Sequence, residues 1–193
     1  MWALWNEIYD KGKNVDADGD GKVRVQAQMF PTRFESSEKR IYVRPLVEYA
    51  STVWSPSYMT LIDQLESVQR SFTKRLPQCQ HLSYSERLNK LQLQSLEHRR
   101  LIFDLIMCYN IVSNNSCIDK DDFFKMNPNT STRGHPFRIQ VPLAKLNARN
   151  FFFCNRVVQV WNSLPSSVVE ASSVQSFKFR IKKVDLTKFL RSN

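Results

Sequence analysis

The chain has 193 residues, of which 42% are hydrophobic and 12% aromatic, with 4 glycines and a formal net charge of +10. This composition predicts a globular chain with a buried core and excludes a disordered one. No apolar run reaches the roughly 20 residues that a membrane-spanning helix needs, and acidic Glu7 interrupts any signal peptide. We therefore expect an intracellular protein, cytoplasmic or nuclear, with no membrane partner.

Residues 1–40 predict a weakly attached segment with a short helix and a loop. In the loop, Asp16, Asp18 and Asp20 alternate ahead of Gly21, and this pattern resembles a degenerate EF-hand of a sarcoplasmic calcium-binding protein. The twelfth loop position, which needs a bidentate Glu, holds Ala27, and Arg24 adds a cation at the ninth. We therefore predict that the chain has no cofactor. If the loop does bind an ion, the pattern suggests calcium; the alternative interpretation of the loop is a simple Asp/Gly turn. The calcium ligands would be Asp16, Asp18, Asp20 and, through its backbone carbonyl, Lys22.

The clearest helix pattern covers residues 57–76. Pro56 precedes this segment and Pro77 follows it, which fits a helix start and a helix end. Apolar residues recur at three- and four-residue steps and predict one buried stripe. The stripe consists of Tyr58, Leu61, Ile62, Leu65, Val68, Phe72 and Leu76.

Two capping signals predict the next helices. Ser83 followed by Glu86 fits a capping box for a helix over about 84–92. Ser95 opens a long helix that extends to about residue 112. We expect Arg99, Arg100 and Asp104 to face solvent. The side chains expected to face inward are Leu96, Leu101, Ile102, Leu105, Ile106, Tyr109 and Val112.

The rest of the chain predicts a polar loop, one short strand and two helices. Residues 113–132 read as the loop, with a turn around Phe123 and Phe124. Residues 137–141 alternate between apolar and polar side chains, which is typical of a strand. Helices are expected over about 150–162 and from about 173 to 183 or beyond.

Nearly all of the excess positive charge lies in residues 133–193, which carry eleven basic and two acidic side chains. A segment this basic predicts non-specific binding to RNA or DNA, and the alternative is a solvated face that keeps the chain soluble. Phe137, Phe151 and Phe152 offer rings for base stacking, although we favour burial in the core. The candidate phosphate ligands are Arg133, Arg138, Lys145, Arg149, Arg156, Lys178, Arg180, Lys182 and Lys183.

Several sequence blocks follow one another in a fixed order between residue 42 and about residue 183. They are 42–51 (YVRPLVEYAS), 53–56 (VWSP), 62–75 (IDQLESVQRSFTKR), 82–88 (LSYSERL), 96–100 (LEHRR), 132–135 (TRGH), 152–158 (FFCNRVV), 161–165 (WNSLP) and 168–178 (VVEASSVQSFK). Together the blocks resemble the region that follows the polymerase palm in LINE-type (non-LTR, jockey-like) retrotransposon reverse transcriptases. The resemblance implies a helical thumb and post-thumb region, which supports the primer and template.

The resemblance also implies what this chain lacks. In that family, RNA-directed DNA polymerisation uses two metal ions held by palm aspartates, commonly in a Tyr-x-Asp-Asp hairpin. The adjacent aspartates of this sequence, Asp121 and Asp122, lie in the polar loop, where we interpret them as solvated charges. Two-metal phosphoryl transfer needs carboxylates that converge on the metals. We therefore expect a chain that is catalytically inactive by itself and is not an enzyme.

The sequence as a whole predicts a mainly α fold, an irregular, thumb-like helical bundle with at most a short strand or hairpin. The predicted domains are residues 1–40 and residues 41–193. The favoured function is that of a truncated reverse transcriptase that binds nucleic acid non-specifically, and an inert remnant is the near alternative. Two further alternatives are a degenerate calcium-binding protein fused to transposon sequence and a helical domain whose basic face binds an acidic protein.

Overall fold

The computed structural model describes residues 47–128, 134–143 and 146–191. At residues 147 and 148 it describes the backbone alone. These residues belong to the compact unit Pro45–Asn193. The helix and the calcium loop expected within residues 1–40 lie outside them and stay predictions. None of the helices in the described part is both long and apolar enough to cross a membrane.

The described residues form a mainly helical fold, as predicted, without a sheet. The helices are α1 Ser51–Trp54, α2 Met59–Arg75, α3 Tyr84–Lys90, α4 Leu96–Val112, α5 Lys120–Phe123, α6 Asn147–Asn150, α7 Phe153–Asn162, α8 Ser166–Val169, α9 Val174–Ile181 and a final 3-10 helix Thr187–Phe189. The predicted capping box is present, because Ser83 and Glu86 bond each other's backbone N–H groups. Ser95 and Ser173 cap α4 and α9 in the same manner, each accepting the N–H three residues later.

Helix α4 is the centre of the bundle. Helices α1, α2, α7 and α9 all pack against it. Its Leu105 and Ile111 are completely buried, as are Trp161 of α7 and Phe177 of α9. Burial of each such side chain contributes about 1.5–3 kcal/mol. The inward face predicted for α4 is confirmed, since all seven of its side chains are buried or half-buried.

The buried face of α2 differs from the predicted apolar stripe. Tyr58, Leu61 and Val68 are exposed, while the helix turns Glu66 and Gln69 into the protein together with Ile62 and Thr73. A polar face can be buried only when its groups find hydrogen-bond partners. The partners come from α3 and from the start of α4, which lie 15 to 30 residues away in sequence.

Glu66 lies at the centre of this hydrogen-bond network. Its Oε2 accepts the backbone N–H of Leu96 at 3.0 Å, and its Oε1 accepts the hydroxyl of Tyr84. The carboxylate therefore sits at the N-terminus of α4, where the helix dipole favours a negative charge. Burial raises the pKa of Tyr84 well above its usual range, and the hydrogen bond to Glu66 is the second cause of this shift. The Nε2 group of Gln69 donates to the Tyr84 hydroxyl at 3.1 Å and to the carbonyl of Gln94 at 2.9 Å.

Arg100 and Asp104, which we expected to face solvent, are 2% and 3% exposed. The prediction was wrong for both, and the element that packs against Asp104 is α7. Asp104 forms a two-pronged ion pair with Arg156 of α7, with Nε–Oδ2 at 2.8 Å and Nη2–Oδ1 at 2.9 Å. Arg156 also donates to the carbonyls of Thr52 at 2.7 Å and Phe151 at 3.0 Å. One guanidinium therefore ties α1, α4 and α7 together.

The strand expected over 137–141 is reduced to a single antiparallel bridge between Met126 and Ile139. The side chain of Asn162 holds this segment by two hydrogen bonds to the backbone of Ile139, at 2.9 Å and 2.8 Å. A side chain thus takes the place that a neighbouring strand would occupy, so no ladder extends from the bridge. Asp121 and Asp122 lie exposed in α5 within the expected polar loop.

His135 is a buried imidazole next to the largest core side chain. Its ring meets the Trp161 ring edge-on at 5.8 Å, and its Nε2 lies 3.0 Å from the Trp161 carbonyl. The Nδ1 atom is buried without a hydrogen-bond partner. Burial lowers the pKa of His135, and the positive charge of Arg138 lowers it further. The ring is therefore neutral near pH 7.

We expect stability to fall on acidification because of His135. The folded pKa lies below the unfolded value of 6.5, so the unfolded chain binds the proton more readily. The stabilising contribution is complete above pH 6.5 and is lost as the pH falls through the folded pKa. Urea midpoints measured between about pH 7 and pH 5 should drop less in His135→Gln than in the wild type. The same pH dependence in both proteins would contradict the assignment. His81→Gln, at an exposed histidine, serves as the control.

Candidate nucleic-acid interface

Helix α9 is held by its inner face, which leaves its basic face towards solvent. Phe177 and Ile181 are completely buried. The Phe177 ring stacks on Tyr109 of α4 with centroids 4.4 Å apart, and its centroid lies 6.1 Å from that of Trp161. These contacts fix the rotation of α9 about its axis, so the residues on the opposite side are presented outwards.

The outward residues are Lys178 and Phe179 of α9, together with Lys182 and Lys183 in the turn that follows its last residue; we call these four residues the α9 face. Lys182 and Lys183 are exposed and Lys178 is half-buried. Residues four apart are neighbours on a helix surface, and the C-cap residue Lys182 keeps helical backbone angles, so the lysines at 178 and 182 form one row. The Lys183 ammonium lies 4.3 Å from the centroid of the Phe179 ring. Helix α9 contains no acidic side chain.

Phe179 distinguishes this surface from an ordinary helix end. Lysines near a helix C-terminus are favoured by the helix dipole whether or not they bind a ligand. The dipole does not explain an aromatic ring that is 64% exposed among them. Aromatic rings beside cationic side chains are typical of single-stranded nucleic-acid surfaces, where bases stack on the rings. The α9 face therefore combines phosphate-binding and base-stacking groups.

Three arginines among the predicted ligands make contacts within the protein. Arg180 donates from Nη1 to the carbonyl of Ser167 and so ties α9 to α8. Arg156 uses its guanidinium in the ion pair with Asp104, so the phosphate contact expected for this residue has no structural support and stays a prediction. Arg138 is half-buried and packs over Gly134, whose φ of +130° lies in the region that favours glycine.

A second exposed patch lies where α6 meets α7. Arg149 is exposed and Phe152 is 67% exposed. Phe137 is also exposed, so the interpretation of Phe137 and Phe152 as core residues was wrong. Helix α7 begins at Phe153, and the helix turns only that phenylalanine of the 151–153 run into the core. Phe151 is half-buried and has Arg191 5.3 Å from its ring centroid.

Arg133 and Lys145 lie outside the described residues, as do the calcium ligands Asp16, Asp18, Asp20 and Lys22. These assignments stay predictions. Within the described ranges, no group of three or more His, Cys, Asp or Glu side chains is arranged to hold a metal ion.

Sequence reasoning missed Phe179, Lys188 and Arg191. The signal for Phe179 was present, because Phe177 and Phe179 are two residues apart and lie on opposite sides of a helix. Both cannot be core residues of the same helix face. Lys188 and Arg191 follow α9 and belong to the same basic segment.

Comparison with known proteins gives one partial similarity. No protein family and no solved structure matches the chain. An uncharacterized protein of Caenorhabditis elegans is 32% identical over 76 residues. The matched region spans 38% of this chain and 38% of the nematode protein. The similarity therefore covers well under half of each protein.

Proposed function

We propose that the chain is a remnant of a LINE-type retrotransposon reverse transcriptase that binds nucleic acid through its phosphates and catalyses no polymerisation by itself. The ordered sequence blocks suggest the family. The α9 face is the observation that carries the binding function, because it presents three lysines and an exposed ring together at the C-terminal end of α9.

The contacts of the sequence blocks are consistent with a supporting role. Glu66 and Tyr84, from two different blocks, hydrogen-bond to each other inside the protein. Arg156 and Trp161, from two more, hold α7 against its neighbours. Residues of these blocks thus stabilise the helical scaffold. The scaffold in turn positions α9, whose outer residues are available to a ligand.

The α9 face suits non-specific binding. Lysine is a point charge on a flexible stem, so it contacts phosphates without reading base edges. Stacking on Phe179 would be tolerant of sequence, because every base has a flat face. No polymerisation is assigned, since Asp121 and Asp122 are neighbours on one exposed short helix and no third carboxylate converges with them in the described part.

Removing the charges of the α9 face should weaken binding. We expect Lys178→Gln, Lys182→Gln and Lys183→Gln, combined in one variant, to lower the affinity for a single-stranded oligonucleotide at low salt by about tenfold or more. Fluorescence anisotropy measures this change. The matched control removes three exposed charges elsewhere, Lys74→Gln, Arg75→Gln and Lys125→Gln. An equal loss in both variants would show a general effect of net charge and would sink the proposed site.

Phe179 separates stacking from charge. Phe179→Ala should cost about 1–3 kcal/mol of binding to single-stranded DNA, with little change for a duplex, whose bases are already stacked. The exposed ring makes only a small contribution to the core, so the variant should fold. The same loss for both ligands, or for neither, would contradict a stacking role.

A further inference from the structure

A cleft of about 560 Å³ lies between α4, α7, the link from α1 to α2, and the last described residues of the chain. Its volume is in the range of clefts that hold small organic ligands. The cleft is lined by Ser57 from the link, Arg100 from α4 and Asn155 from α7. Lys188 and Arg191 line it from the C-terminal end of the chain. The α9 face is not part of this cleft.

Arg100 is the unusual group in the cleft wall. It is 2% exposed, yet neither Nη1 nor Nη2 has a hydrogen-bond partner. Buried polar groups in proteins are almost always hydrogen-bonded, and an unpartnered charged donor is costly. Arginine keeps its positive charge under any physiological condition. A buried guanidinium with two unused NH2 groups therefore indicates a missing acceptor.

The carboxylates around Arg100 do not supply that acceptor. Both oxygens of Asp104 accept from Arg156, and both oxygens of Glu48 accept from Arg99. Glu66 is engaged by Leu96 and Tyr84. Burial lowers the pKa of Arg100, and these carboxylates, with Glu97, oppose that shift through space. They stabilise its charge while leaving its outer nitrogens without acceptors.

A second unpartnered donor lies in the cleft wall. Asn155 Nδ2 is buried without a partner. Lys188 and Arg191 add two positive charges, and Arg156 lines the cleft as well. Four cationic side chains thus face two acidic ones, Glu97 and Asp104. A ligand that satisfies these groups must be an anion with several acceptor oxygens, and phosphate matches the fork of an arginine best.

The remaining wall is apolar and partly aromatic. Phe151 and Phe189 line the cleft, with Pro56 and Pro142 beside them. Arg191 lies 5.3 Å from the centroid of the Phe151 ring, so a cationic group and a flat ring are adjacent. A flat heterocycle attached to the phosphate would find a stacking surface there.

We infer that this cleft binds a nucleotide with a terminal phosphate, either free or at the end of a strand, with the phosphate on Arg100 and Asn155 and the base against Phe151. The choice of a nucleotide rests on the proposed function, whereas the anion site rests on the unpartnered donors alone. The phosphate oxygens accept the N–H groups that Arg100 and Asn155 leave unused. Arg191 and Lys188 balance the phosphate charge at the mouth of the cleft.

The test is calorimetric titration of the intact chain with adenosine 5′-monophosphate, inorganic phosphate and adenosine. We expect the nucleotide to bind, inorganic phosphate to bind more weakly, and adenosine to bind least. Arg100→Gln and Asn155→Asp should each weaken nucleotide binding by roughly tenfold or more, because the first removes the guanidinium and the second puts a carboxylate against the phosphate. Arg75→Gln removes an exposed arginine that does not line the cleft, and it should bind as the wild type does.

Circular dichroism decides whether each variant is folded. If Arg100→Gln does not fold, Asn155→Asp and the exposed Arg191→Gln carry the test. No heat with the nucleotide in the wild type, or unchanged affinity in the folded variants, would overturn the inference.

Two dinucleotides, with and without a 5′-phosphate, distinguish a strand end from a free nucleotide. Only a site for strand ends binds the phosphorylated dinucleotide more tightly than the mononucleotide. Failure of the proposed function has a different signature. In that case, a long oligonucleotide without a terminal phosphate does not bind at all, whatever the mononucleotide does.

Discussion

Arg156→Ala is expected to lower the free energy of unfolding by about 3–5 kcal/mol, the range for breaking a buried ion pair by removing one partner. Asp104, 3% exposed, would be left as a buried carboxylate without its guanidinium. The carbonyls of Thr52 and Phe151 would each lose a donor as well. Urea denaturation followed by circular dichroism measures the loss.

Arg149→Ala is the matched control, since Arg149 is exposed and lies only seven positions earlier. We expect it to change stability by no more than about 0.5 kcal/mol. Arg156→Lys should recover only part of the loss, because an ammonium cannot form the two-pronged contact. Equal effects of Arg156→Ala and Arg149→Ala would show that the ion pair contributes nothing.

Trp161→Ala should cost about 3–5 kcal/mol, the range for removing a large aromatic side chain from a core. Trp161 has no exposed surface and packs between His135 and Phe177. Its indole N–H donates to the Phe137 carbonyl at 2.8 Å, so the substitution also leaves that carbonyl without its donor. Thermal unfolding should show a large fall in Tm.

Trp54→Ala provides the control of equal side-chain size. Trp54 is 40% exposed, and its indole N–H bonds the carbonyl of Tyr49 five residues earlier. We expect this variant to lose markedly less stability than Trp161→Ala. If the two tryptophans proved equivalent, the centre of the bundle would not lie where α4, α7 and α9 meet.

Local signals allowed most helices to be predicted. Ser83, Ser95 and Ser173 each cap the helix that follows, and the observed starts agree with the predictions to within one residue. These signals act over three or four residues, so they can be read from the sequence. The ends of α2 were also marked, by Pro56 and Pro77.

The faces of the helices were harder to predict than their bounds. Burial of Glu66 depends on Tyr84 and Leu96, which lie 18 and 30 residues away. Burial of Asp104 depends on Arg156, 52 residues away. Periodicity assigns polar residues to the solvent side, since it carries no information about distant partners. The unpartnered donors of Arg100 could be found only from the packing around them.

The candidate interface was predictable in part. The charge of the last third of the chain pointed to Lys178, Lys182 and Lys183, which lie together at the C-terminal end of α9. The charge pattern also included Arg156 and Arg180, whose contacts lie within the protein. A count of basic residues cannot separate an arginine that pairs internally from a lysine that faces water. The structure distinguishes the two kinds of residue, because the burial of Phe177 fixes the rotation of α9 and so determines which of its side chains face water.

The most direct test of nucleic-acid binding is the salt dependence of the intact chain on a single-stranded oligonucleotide. Three lysines that each neutralise a phosphate should give a plot of log K against log salt with a slope of about −2, at roughly −0.7 per phosphate. The variant with glutamine at positions 178, 182 and 183 should show a much shallower slope. A slope near zero for the wild type, or an unchanged slope in the variant, would contradict the account.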